Sequence, residues 1–107
     1  MSFNAQSRTI HDQRDAAREE VYYRTRGNGP AGVVSLQVVN ISASGFMARS
    51  ENSFAEGDRL MVRFPVIGSV SAEVRWSLGG RVGCQFDRMI DLAPYLQLLS
   101  ELVAHAR

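Results

Sequence analysis

Apolar side chains recur at every second position through residues 59–64, where Leu60, Val62 and Phe64 oppose Arg59, Met61 and Arg63. They do so again through 71–77, where Ala72, Val74 and Trp76 oppose Glu73, Arg75 and Ser77. A period of two belongs to a strand with one face on a core and one in water, and it excludes a helix in these segments. Residues 21–26, 33–41, 46–49 and 82–86 also read as strands, the last with Val82, Cys84 and Phe86 inward. Turn-forming residues separate them: Gly27-Asn28-Gly29-Pro30-Ala31-Gly32, Ser42-Ala43-Ser44-Gly45 and the Gly79-Gly80 pair, with loops over 50–58 and 65–69. From Asp91 the period changes. Leu92, Tyr95, Leu96, Leu99, Leu102, Val103 and Ala106 form one helical stripe, with Asp91 as cap and Pro94 in the first turn. The expected fold is mainly β: a six-stranded antiparallel barrel with a C-terminal amphipathic helix over an open end.

The chain has 107 residues, enough for one domain and too few for two good cores. The expected division is an arm over residues 1–12 and one domain over 13–107. Residues 14–20 have the charge density of a single helical turn. Apolar residues make up 45% and charged residues 21%, so the chain can offset its conformational entropy by burial and is not globally disordered. A net charge of +1 excludes a reading as a charge-driven binder of nucleic-acid polymers or membranes. All twelve basic residues are arginine, so every cation is a planar fork suited to phosphate or to stacking on a base. The polar start carries no secretion signal and no apolar run is long enough to span a membrane. A cytoplasmic location is the expectation.

Residues for catalysis are lacking. His11 lies in the expected arm and His105 in the last helical turn, where a cation suits the helix dipole. Cys84 alternates with Val82 and Phe86 as a small core residue. No activated nucleophile, metal-ligand spacing or phosphate loop is present, and Asp12, Asp15, Glu19 and Glu20 are interleaved with arginines as self-neutralising surface charge. The expectation is a non-enzymatic protein with no metal and no cofactor.

Two clusters remain. Arg14 and Arg18, four apart, share a side on a helical turn or on an extended segment. Asn40 and Ser42 share a face at a strand end, with Ile41 turned to the core. An amide beside a hydroxyl suits a ligand with donor and acceptor edges, such as guanine and phosphate. Gly45 permits either a bend with positive φ or a bare backbone that a ligand can approach. Each cluster alone reads equally as solvated charge or as a turn.

Taken in order, Arg14-x-x-x-Arg18 followed by Asn40-x-Ser42-x-x-Gly45 resembles the signature of the PilZ domain family. Ala72-x-Val74-x-Trp76, a glycine turn, Gly83-x-x-Phe86 and the terminal helix are similar to that family's second half, so the resemblance covers residues 12–105. It implies a split-barrel type of β-barrel that binds cyclic di-GMP, the bacterial second messenger. By the same resemblance Arg14 and Arg18 grip phosphates and guanine faces, Asn40 and Ser42 take guanine edges and phosphate, and Gly45 shapes the turn. Ligand binding would draw the N-terminal arm onto the barrel and relay the signal to a downstream effector, with motility and biofilm functions among those the family serves. One departure is Asn40 where the family often has aspartate: the amide keeps an acceptor and loses the charge. Trp76 reads as core by alternation, or as a stacking surface for guanine. Arg75 and Arg81, exposed by alternation, are further candidates for phosphate contact, ranked behind these. The alternative is a degenerate barrel that acts purely as a protein-interaction module.

Overall fold

The computed structural model describes residues 18–105. Arg14, His11 and the expected arm lie outside the described residues. Six strands run in chain order: β1 Glu19–Gly29, β2 Gly32–Ser42, β3 Gly45–Arg49, β4 Arg59–Phe64, β5 Gly68–Leu78 and β6 Arg81–Phe86. Helix α1, Leu92–His105, follows. The strands are antiparallel and close into a barrel in the order β1-β2-β3-β6-β5-β4. The expected mainly β barrel with one C-terminal helix is the fold observed.

Some boundaries differ from the expectation. Glu19 and Glu20 do not belong to a helical turn; they open β1 and register with Ile41 and Asn40. Residues 27–29, expected in a turn, extend β1 so that only Pro30 and Ala31 cross to β2, with Gly29 facing Gly32. The extension closes the barrel, because Gly27 and Asn28 pair with Val62 and Met61 of β4. Glycine is required at position 27, where a β-carbon would lie 2.8 Å from the Met61 carbonyl oxygen. Thr25 Oγ1 donates to the Arg63 carbonyl at 2.6 Å and fastens the same seam.

The alternation seen in the sequence fills the barrel. Leu60, Val62, Phe64, Ala72, Val74, Val82, Cys84 and Phe86 are all buried, with Val34, Leu36, Val38, Ile41, Phe46 and Ala48 from β2 and β3. Phe46 packs edge-on to Phe64 at 5.7 Å and tilted to Phe86 at 5.6 Å between centroids, arrangements that aromatic quadrupoles favour. The helix covers the barrel with Tyr95, Leu98 and Leu102. This corrects the expected stripe: Leu92, Leu96 and Val103 are exposed, and Leu98 is fully buried.

Candidate functional site

The strands that carry the singled-out residues are the irregular ones. Three register shifts break the ladders: between Glu20 and Tyr23 against β2, between Val38 and Asn40 against β3, and between Val74 and Trp76 against β6. An extra residue in one strand re-aims the side chains beyond it. In β2 the inward set is Val34, Leu36 and Val38 before the shift and Ile41 after it. Asn40 is thereby turned to the outer wall, half-buried. In β5 the shift turns Trp76 out as well. Expected in the core by alternation, it is 41% exposed and lies over Gly83 on the outside, where a β-carbon would overlap the indole nitrogen.

These side chains form one row across the outer wall. Asn40 registers with Met47, Met47 with Gly83, and Gly83 with Trp76. The Asn40 amide nitrogen donates to Met47 Sδ at 3.7 Å. At the other end, Arg18 Nη1 donates to Asn40 Oδ1 at 2.9 Å, across 22 residues of chain. The fold thus brings together the second arginine of one cluster and the first residue of the other. The row offers a guanidinium, an amide, a polarisable thioether and an indole on a surface open to solvent. That set can bind a phosphate and a flat heterocycle side by side.

Ser42 has a different setting. Its side chain is fully buried, and its hydroxyl lies 3.1 Å from Ser44 Oγ, accepts from Ser44 N at 3.2 Å and donates to the Gly45 carbonyl at 3.5 Å. The turn it braces is clamped from outside: Phe86 N donates to Ser44 O, Ile90 N to Ala43 O, and Tyr95 Oη to Ile41 O at 3.3 Å. Burial, with Glu19 nearby, pushes the Tyr95 phenol up from its ordinary value, so it remains the donor of that bond. Gly45 has no positive φ; glycine is needed because β3 runs so close to β6 that a β-carbon would overlap the Cys84 carbonyl oxygen. Arg75 is engaged with Gln85 Oε1 at 3.1 Å, and Arg81 is exposed.

Met47 was not singled out in the sequence, although buried neighbours Phe46 and Ala48 place it outward by parity. The break of parity in β2, apolar at 36, 38, 39 and 41, marked the bulge. The bulge before Trp76 left no such mark, since Ser77 and Leu78 continue the alternation of polar and apolar unbroken.

Other chemistries find no support in the geometry. Among the described residues no three His, Cys, Asp or Glu side chains come together to hold a metal ion. Burial pushes the Cys84 thiol up to about 12, which keeps it protonated and unreactive at neutral pH. No helix of the described residues is long and apolar enough to cross a membrane.

A family model described as PilZ domain matches residues 12–105. Among solved structures, the crystal structure of the PilZ domain of CeSA from a cellulose-synthesizing bacterium superimposes with a TM-score of 0.58 at 11% identity. The alignment covers 85% of this chain and 99% of that one, and at such identity it speaks for the fold alone. A search of curated proteins returns no match.

Proposed function

The chain belongs to the PilZ domain family, whose members are generally receptors for cyclic di-GMP and serve as binding and adaptor domains, and from this premise we propose that it is a non-enzymatic cyclic di-GMP receptor whose ligand lies along the Arg18–Asn40–Trp76 row. The observation that carries the reading is the 2.9 Å bond between Arg18 and Asn40. It preorganises a cation and an amide on one wall, the cation for phosphate and the amide for a guanine edge. Arg14 adds a second guanidinium from the segment preceding the barrel. Trp76, exposed on the same row, supplies a stacking face for a guanine. Ser42 and Gly45 contribute by fixing the turn next to Asn40 rather than by an open hydroxyl. Ordering of the N-terminal arm over this wall transmits the bound state to an effector protein, the arm's ordering entropy being offset by charge-assisted bonds of ~1.5–3 kcal/mol each.

Isothermal titration with cyclic di-GMP, with GTP as control, tests this. Saturable binding is expected, reduced at least tenfold in Arg14→Ala and in Arg18→Ala while both variants keep the wild-type thermal transition. Arg18 is exposed and, among the described residues, bonds only to Asn40, so its loss leaves the core intact. A folded protein that binds no cyclic di-GMP, or binds it equally well without either arginine, overturns the assignment and leaves the barrel as a protein-interaction module.

A further inference from the structure

A second concave surface lies on the outer wall, beside the β1–β2 hairpin. It is an open groove of about 890 Å³ bounded by that hairpin, the loop after β3 and the β5–β6 turn. Arg24, Arg26 and Arg49 line it against a single acid, Glu51. That is an excess of two positive charges in one groove, on a chain whose net charge is only +1.

The arginines are aligned by register. Arg24 faces Gln37, Gln37 faces Arg49, and Arg49 faces Arg81 on the next strand. Two like charges directly opposite in an antiparallel pair repel each other. Nothing among the described residues relieves this. The ion pair formed there is Arg59 with Asp87, on β4 and after β6. Among the described residues Arg26, Arg49 and Arg81 have no side-chain partner, and Arg24 reaches only the Tyr22 phenol, at 3.4 Å.

The groove's walls are tied together by hydrogen bonds. Ser50 Oγ donates to the Ser35 carbonyl at 2.7 Å, Ser35 N donates to Asn52 Oδ1 at 3.2 Å, and Ser50 N donates to the Gly80 carbonyl at 3.0 Å. These bonds tie β2, the loop after β3 and the β5–β6 turn together. Aliphatic side chains stand at both ends. Val33, two residues from Ser35 on the same face, is 65% exposed, and Leu78, registered with Arg81, is 79% exposed. Exposed apolar side chains flanking a charged groove fit a protein partner better than a small anion. The lining holds no aromatic ring on which a base could stack. The row from Arg24 to Arg81 crosses three interstrand steps of ~4.8 Å, about 14 Å, wider than one phosphate can bridge.

We propose that this groove docks an acidic segment of a partner protein, with its carboxylates on Arg24, Arg26 and Arg49 and its aliphatic side chains on Val33 and Leu78. The docking does not depend on the nucleotide reading of the neighbouring row, and its test requires no cyclic di-GMP.

Fluorescence anisotropy with a labelled eight-residue peptide of four glutamates and four leucines, alternating, tests it. A glutamine-for-glutamate peptide is the control. The acidic peptide is expected to bind, to weaken as salt is raised, and to lose at least tenfold in affinity in Arg49→Glu and in Arg24→Glu. Leu78→Ser is expected to weaken it severalfold, and Arg88→Glu, after β6 at the β2–β3 turn end of the barrel and away from the groove, to leave it unchanged. Arg49→Glu folds at least as well as the wild type, since a glutamate there faces Arg81. The proposal is overturned if the acidic peptide binds no better than its glutamine control, or if Arg49→Glu and Arg88→Glu weaken it alike. Competition by inorganic pyrophosphate together with indifference to Leu78→Ser also overturns it, and makes the groove a site for small phosphate anions.

Discussion

Gly83 and Trp76 act as a pair. The indole can lie flat on the outer wall only because position 83 has no side chain. Gly83→Ala therefore pushes the ring off the wall while changing no polar group. The expected outcome is a shift in the emission of the single tryptophan and a severalfold loss of cyclic di-GMP affinity, with the barrel still folded. Unaltered affinity alongside a shifted emission would remove Trp76 from the site. Gly45 stands in contrast: the backbone it touches belongs to β6, so a substitution there acts on strand packing and not on the ligand face. The two glycines look alike in the sequence, and only their neighbours across the sheet distinguish a support for the site from a support for the fold.

Helix α1 is apolar on more than one side. Leu92, Leu96, Leu99 and Val103 follow one helical row, and Tyr95, Leu98 and Leu102 another, one residue away around the axis. Periodicity predicts a helix from either row and does not choose between them. The barrel chooses, through Tyr95, whose hydroxyl reaches the Ile41 carbonyl and fixes the helix's rotation. Leu98→Ala is then expected to cost about 2–5 kcal/mol, as truncation of a fully buried leucine does. Leu96→Ala, on the exposed row, is expected to stay within about 0.5 kcal/mol. Urea denaturation of the two variants checks the difference, and equal losses would mean that the helix sits on the barrel by its other face. The same Tyr95 bond joins the helix to the strand that carries Asn40, so helix docking and site geometry are linked through one carbonyl.

Closure of the barrel has a consequence for the whole molecule. Cys84 points into an interior with no open sheet edge beside it, since β6 is paired with β3 and β5 on its two sides. Its thiol ionises only near pH 12 in the folded protein, against an ordinary 9.0. Between those values the unfolded chain has released a proton that the folded chain retains, so stability falls as pH rises. Thermal unfolding followed from pH 8 to pH 11 is expected to show a declining midpoint above about pH 9, and Cys84→Ser is expected to flatten the decline. A slope unaffected by the serine variant would place the cause elsewhere.

Local order was written in the chain. Two-residue alternation with turn residues between the runs fixed six strands and one helix, and strand pairing through short turns led to an antiparallel barrel. Asn40 and Ser42 stood out as polar groups at a strand end with Ile41 as their inward neighbour, and Arg18 as one of two arginines four apart. What only the tertiary structure decided was direction. Two bulges changed which way Asn40 and Trp76 point, and a bulge arises from the mismatch between two strands, which neither strand carries alone. Burial of the Ser42 hydroxyl and of Leu98, and the alignment of Arg24, Arg49 and Arg81 into one row, likewise depend on segments tens of residues away. A single strand specifies its two faces by the period of its side chains. Which face looks outward, and what stands next to it, is set by register, and register exists only between strands.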